Sequence, residues 1–274
     1  MNKVWRPYAS YRIWLEFEPP IGQEHLQCHM KRGFARALKK KPQVAALLTQ
    51  DSPPQKIGLL AQQGVYEFHQ DPQRLFRESG VEEVAEIIAL NQQSTEVQER
   101  VRLILKNYHQ HPILVNNDII QINRGDEGIP APILMREGNY AFNFFAAIDC
   151  IVREQDNVLH IIDFKTGKSD FDRRQGYLYL LAAHYLYPNQ PAIASFYNLE
   201  TGKQSDIITA KADTLRAFHI ELSIIAKRHQ EELKRYRKNP TEFDKIFPAN
   251  PMSNCKYCPF TSICKFSTSE EIAA

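Results

Sequence analysis

Ala147-Ile148-Asp149-Cys150, then Gln155-Asp156-Asn157, then His160-Ile161-Ile162-Asp163-Phe164-Lys165-Thr166-Gly167 is the stretch whose reading decides the fold. Its flanks are β-branched and aromatic, and Gln155–Asn157 between them reads as a hairpin turn. Side chains alternate faces along a strand, so Asp163 and Lys165 point one way while Ile162 and Phe164 point into a core. Asp149 ends the partner strand, between apolar Ile148 and Ile151. Two acids and a lysine at the rim of an apolar sheet are costly to gather unless something binds there. Two converging carboxylates suit Mg²⁺ or Mn²⁺, which prefer oxygen ligands. A nearby lysine can position or deprotonate water, or offset charge on a phosphate. The plainer reading is a hairpin that is merely charged at its tip and edge.

Outward from this hairpin the chain continues as a helix over 171–187, stopped by Pro188. Gln175 and Tyr179, four apart, share one face of it. Arg173 and Arg174 lie at its N-terminal end, where the helix dipole favours anions. Strands are expected at 192–199 and 204–210, then a long charged helix at 212–238. Upstream, residues 1–20 read as an extended arm, and 22–48, 57–69 and 81–90 as helices. The stretch 95–107 reads as a fourth helix or a helix-to-strand transition. Strands are expected at 113–122, 140–153 and 158–165. Helices first and a sheet in the middle imply an α/β fold. The expected divisions are an N-terminal arm and helical region (1–110), a core (111–210), and a long helix with a cysteine-rich tail (211–274).

Among 274 residues, 34 Lys and Arg nearly balance 32 Asp and Glu, giving a formal charge of +2. That excludes a uniformly basic, histone-like binder. Apolar residues at 43% suffice for a buried core. No apolar run approaches ~18 residues, so no membrane partner is expected. No apolar segment follows the charged start, so no secretory signal is expected. The chain is therefore expected in a reducing cytoplasm, where its five cysteines stay free of disulfides.

Cys255-x2-Cys258-x5-Cys264 puts three thiols in one compact loop. A closed tetrahedral or cubane site needs a fourth, and Cys28 is the candidate. Cys150 faces the core opposite Asp149 and reads as a small apolar residue. Thiol chemistry alone leaves zinc and iron–sulfur both open.

In order and spacing, Asp149, Asp163-Phe164-Lys165 and Gln175-x3-Tyr179 resemble the PD-(D/E)xK nuclease superfamily in its RecB-like branch. The resemblance implies a restriction-endonuclease-like core, a mixed central sheet flanked by helices. It implies that Asp149, Asp163 and the backbone carbonyl of Phe164 bind Mg²⁺ or Mn²⁺. Lys165 would serve the attacking water, while Gln175 and Tyr179 would steady the site and the DNA. The branch also carries a helical G-x-x-x-H whose histidine is a ligand; the counterpart here is Gly58-x3-Gln62, with His69 a lesser candidate. The cysteine pattern is similar to that of CRISPR-associated adaptation exonucleases and AddB-type nucleases. It implies a [4Fe–4S] cluster on Cys28, Cys255, Cys258 and Cys264, joining 22–48 to 249–268.

The expected activity is metal-dependent DNA hydrolysis, as an exonuclease on single-stranded DNA or DNA ends, with a CRISPR integrase or a helicase or repair protein as partner. Lys31, Arg32, Arg173 and Arg174 are candidate phosphate contacts. Two alternatives are a nuclease-fold subunit that holds DNA without cutting it, favoured by Gln62, and a zinc-stapled protein with no nuclease role.

Overall fold

The computed structural model describes residues 5–9, 27–49, 52–167, 172–251, 255–256 and 258–267. The described chain forms two compact units, one from Trp5–Ala9 with 52–220, the other from 27–49 with 221–267.

In the first unit, β1 (Trp5–Ala9) runs parallel to β4 (Tyr140–Phe145), which pairs antiparallel with β3 (Ile133–Glu137). A larger mixed sheet follows the order β2 (Asp118–Ile122), β5 (Cys150–Arg153), β6 (Leu159–Lys165), β7 (Ala192–Asn198) and β8 (Lys203–Gln204). β5 and β6 form the expected antiparallel hairpin, while β6 and β7 run parallel. The parallel pair needs a crossover, and α6 (Arg173–Leu186) supplies it by packing on β7. Gly176 permits that approach, because a Cβ there would sit 2.5 Å from Ile208 Cδ1.

α3 (Pro53–Gln70), α4 (Gly80–Ile87) and α5 (Thr95–Gln110) cover the opposite face of the sheet. Ile57, Val65, Phe68, Val84, Val101, Ile104 and Leu105 form one core with Cys150, Ile162 and Phe164. The fold class is the expected mixed α/β, a five-stranded mixed sheet flanked by helices. Because 52–110 and the sheet share that core, the described chain does not divide at residue 110.

Several boundaries differ from expectation. The single helix expected over 22–48 is two, α1 (His29–Ala37) and α2 (Pro42–Leu48), and 22–26 lie outside the described residues. Proline disfavours helical geometry in the residue before it, and Lys41 is extended with φ −71° and ψ 132°. The segment 95–110 is wholly helical. Only 118–122 of the strand expected from 113 is a strand, since Asn116 turns the chain at φ 70°. The strand expected over 140–153 is β4 and β5, in different sheets, interrupted before Asp149. β3 was not expected; a two-residue Gly138-Asn139 connection joins it to β4, with Gly138 at φ 55°. The start of the expected helix at Phe171 lies outside the described residues. The 204–210 strand is reduced to β8 and one bridge, Ala194–Ile208.

α7 (Ala212–Lys238) passes from the first unit into the second at residue 220. The second unit holds α1, α2, the rest of α7, α8 (Phe243–Ile246) and the tail. Its core is Met30, Phe34, Val44 and Phe260, with Cys28, Cys258, Cys264 and Phe243 packed against it. Phe34 lies 5.2 Å from Phe260 and 5.4 Å from Phe243, ring centroid to centroid. Asn250 Nδ2 donates to Gln27 O at 2.9 Å, and Met30 N to Pro248 O at 3.1 Å. No helix of the described residues is long and apolar enough to cross a membrane.

Candidate active site

Pairing with β7 puts Asp163 beside Phe196 and Lys165 beside Asn198, both on the α6 face of the sheet. α6 then delivers Gln175 and Tyr179 onto that carboxylate. Tyr179 Oη donates to Asp163 Oδ1 at 2.6 Å, and Gln175 Nε2 to the same oxygen at 3.1 Å and to Tyr179 Oη at 2.7 Å. All three side chains are buried. Burial, then the charges of Asp163 and Asp149, push the Tyr179 hydroxyl well above its ordinary pKa, so it stays a donor.

The other oxygen of Asp163 behaves differently. Oδ2 is buried and is met by the Lys165 ammonium, whose Nζ lies 2.5 Å away as an ion pair. The ammonium sits 5.6 Å from the centroid of the Phe196 ring. Asp149, just before β5, accepts from Phe164 N through Oδ2 at 2.8 Å and from Gln62 Nε2 through Oδ1 at 3.1 Å. Burial, reinforced by the neighbouring Asp163, raises the pKa of Asp149 despite Lys165 and these hydrogen bonds. Ionising both carboxylates would therefore leave more negative charge than Lys165 offsets.

The chemistry of this donor set fits a divalent cation: two buried carboxylates close enough to disfavour each other's ionisation, with a lysine beside one of them. Among the described residues, no three His, Cys, Asp or Glu side chains are gathered tightly enough to enclose an ion on their own. Such a set suits a cation that keeps several waters, as Mg²⁺ does.

Gln62 is brought to the site, but through its donor. Its Nε2 reaches both Asn123 O and Asp149 Oδ1, an orientation fixed by two acceptors. An amide nitrogen does not ligate a hard cation, so Gln62 steadies Asp149 where a ligand was possible. His69 is placed elsewhere, hydrogen-bonded to Tyr108 Oη at 2.7 Å, with burial lowering its pKa to about 4. Cys150 is fully buried in the core, its thiol pushed up to about 12 by burial.

The sequence reading missed the turn that follows Lys165. Gly167, at φ 89°, donates to Glu200 Oε1 at 3.0 Å and accepts from Asn198 Nδ2 at 2.7 Å. Arg100 Nη2 pairs with Glu200 at 2.5 Å, and Leu199 N donates to Lys165 O at 2.9 Å. The β7–β8 corner therefore grips the backbone on the C-terminal side of the catalytic candidates. Asn-Leu-Glu after a strand was the available signal.

The four basic candidates fare differently. Lys31 and Arg173 are exposed. Arg32 is 6% exposed and paired with Glu232 at 2.9 Å, which corrects its expected place on the surface. Arg174 is committed locally, its guanidinium on Asp172 at 2.6 Å, while the Asp172 carboxylate also caps α6 by accepting from Arg174 N.

In the second unit, Cys28, Cys255, Cys258 and Cys264 are all half-buried free thiols. Burial, and beyond it the nearby Cys28 and Cys255, raise the pKa of Cys258, against which Lys31 acts. Cys264 Sγ lies 3.8 Å from Met30 Sδ. Thr261 Oγ1 donates to both Cys255 O and Cys258 O at 2.7 Å, and Ser267 Oγ to Cys264 O at 2.7 Å.

No curated protein matches this chain. Among solved structures, the crystal structure of SSO0001 aligns over 92% of this chain and 100% of its own, at 12% identity and a TM-score of 0.33. A family model described as the PD-(D/E)XK nuclease superfamily matches residues 26–265, reaching from before Cys28 through the hairpin and α6 to beyond Cys264. With that match spanning nearly the whole chain and the two acids, the lysine, the glutamine and the tyrosine gathered at the C-terminal end of the central strand β6, the chain belongs to the PD-(D/E)XK nuclease superfamily.

Proposed function

We propose that this protein is a divalent-cation-dependent deoxyribonuclease of the RecB-like branch, acting as an exonuclease on single-stranded DNA or DNA ends. The observation that carries this reading is Asp163 Oδ2. It is buried and faces the Lys165 ammonium at 2.5 Å, while its sister oxygen is held by Tyr179 and Gln175. Asp149, Asp163 and the carbonyl of Phe164 would hold Mg²⁺ or Mn²⁺, which when bound supplies positive charge to the scissile phosphate and acidifies water. Tyr179 and Gln175 fix the rotamer of Asp163 so that Oδ2 is the oxygen presented. Lys165 offsets charge beside it and offers its remaining N–H bonds to water or to a phosphate oxygen. Arg173, exposed in the first turn of α6, and Lys31 on α1 are suited to phosphate contacts.

The second element of the proposal is a [4Fe–4S] cluster on Cys28, Cys255, Cys258 and Cys264. Support comes from Cys28, Cys258 and Cys264, half-buried against one apolar core, and from Cys28 at the N-cap of α1, where the helix dipole favours thiolate. Bound, the cluster would cross-link two segments far apart in sequence. A CRISPR integrase or a helicase or repair protein is the partner class in keeping with this reading, and the cytoplasm is its compartment.

The test is cleavage of end-labelled single-stranded and duplex DNA, linear and circular, with Mn²⁺, Mg²⁺ or EDTA. Anaerobically purified protein is compared with Asp163→Ala and Lys165→Ala. Cation-dependent cutting of linear DNA, abolished by both substitutions, is the expected result. Cutting of circles would make it an endonuclease. Binding without cutting by the intact protein would favour the DNA-holding subunit, for which Gln62 in the place of a ligating histidine is the motive.

A further inference from the structure

We infer that Asn123, just beyond the end of β2, is the positioning residue of the carboxylate Asp149, acting on its backbone and its side chain at once. The inference rests on the cation-site reading above. Asp149 lies just before β5, where the β2–β5 ladder runs on past Ile122–Cys150 by one bond, Asn123 N–H to Asp149 O at 2.8 Å. The Asn123 side chain adds a second hold, its Nδ2 donating to Ile148 O at 2.6 Å. These two carbonyls belong to the peptide groups on either side of the Asp149 Cα, so both are held by one residue. The Asn123 carbonyl in turn accepts from Gln62 Nε2 at 3.1 Å, the nitrogen that also donates to Asp149 Oδ1 at 3.1 Å.

The Asn123 backbone and side chain thus converge on Asp149, through its own carbonyl, the peptide bond that enters it and the Gln62 amide. Asparagine suits the place because it brings a neutral side-chain donor to a carbonyl; aspartate has the same shape and no donor. Two buried carboxylates already face each other in the pocket, so a third would add repulsion to the lost bond. Gly125, at φ 95°, leaves room for this arrangement, because a Cβ there would lie 2.9 Å from Gln62 Oε1. Outer-shell partners of this kind typically set about 10–100-fold in metal affinity or activity.

The experiment measures Mn²⁺ binding by calorimetry on wild type, Asn123→Ala, Asn123→Asp, Asp163→Ala and a control, Asn117→Ala. Asn117 makes the same kind of bond, Nδ2 to Ile113 O at 2.8 Å, outside the candidate site. Asn123→Ala keeps both backbone bonds of residue 123 and removes one donor, so it tests position with the fold retained. The expected result is Mn²⁺ binding weakened roughly tenfold in Asn123→Ala and further in Asn123→Asp, with Asn117→Ala unchanged. The cation concentration for half-maximal cleavage should rise in parallel, with the KM for DNA unmoved. A folded Asn123→Ala that binds Mn²⁺ as wild type does overturns the inference and leaves the site reading standing. If wild type binds no Mn²⁺ that Asp163→Ala abolishes, the site reading fails and the inference falls with it.

Discussion

The carboxylate region and the cysteine region are held by different forces. Around Asp149 and Asp163, three of four carboxylate oxygens take hydrogen bonds from Gln62, Phe164 N, Gln175 and Tyr179, and the fourth is ion-paired with Lys165. Around the thiols, the supports are apolar: Met30, Phe34 and Phe260 pack behind sulfur, and the hydroxyls of Thr261 and Ser267 fasten the backbone. The first region is organised before anything binds. In the second, the described residues would be bound together by what they ligate. Emptying the first should therefore cost chemistry, and emptying the second should cost structure.

The sharpest way to break this contrast is at Asp163. Asp163→Asn should reduce cleavage roughly 10³-fold while far-UV circular dichroism and the melting temperature stay near wild type. A melting temperature that collapses would show the carboxylate region to be structural after all. Next in size is Cys258→Ser. It should abolish the visible absorbance and the bound iron and sulfide, and lower unfolding stability by several kcal/mol, read by denaturant titration. If wild type purified without oxygen carries neither iron nor sulfide, the cluster half of the comparison is gone.

Smaller effects sharpen the first region. Tyr179→Phe removes a 2.6 Å hydrogen bond to Asp163 and should cost about 2 kcal/mol of stability and about tenfold in rate. The smallest effect is a pH dependence. The folded protein raises the pKa of Asp149, so without cation it takes up a proton more readily than the unfolded chain. That contribution is full below the ordinary carboxylate range and is lost as pH rises through the raised value. In EDTA the melting temperature should thus decline across that window, and added Mn²⁺ should restore most where Asp149 is ionised. A melting temperature independent of pH in EDTA would remove the electrostatic argument.

Much of this was legible before the structure. Alternation in β6 put Asp163 and Lys165 on one face, and the i, i+4 spacing put Gln175 and Tyr179 together, because both follow from local periodicity. What resisted reading was non-local. Asn123 is one polar residue after a weak strand, and its importance comes from a partner 26 positions later. The direction of the Gln62 amide was decided by Asn123 O, again invisible locally. Arg32 looked like surface charge within a basic run until Glu232, two hundred residues on, claimed it. Gly138-Asn139 was readable as a hairpin turn, and the strand before it could have been found from it.

The make-up of the second unit also has a consequence for synthesis. Met30, Phe34 and Val44 emerge early, yet Phe260, which closes their core, comes after all of 52–220. At typical translation rates that interval is roughly 10–40 s. Throughout it, the apolar face of α1, capped by Cys28, waits without its counterpart, a natural client for a chaperone. The nascent chain finishes its sheet-bearing unit first and seals its opening segment last.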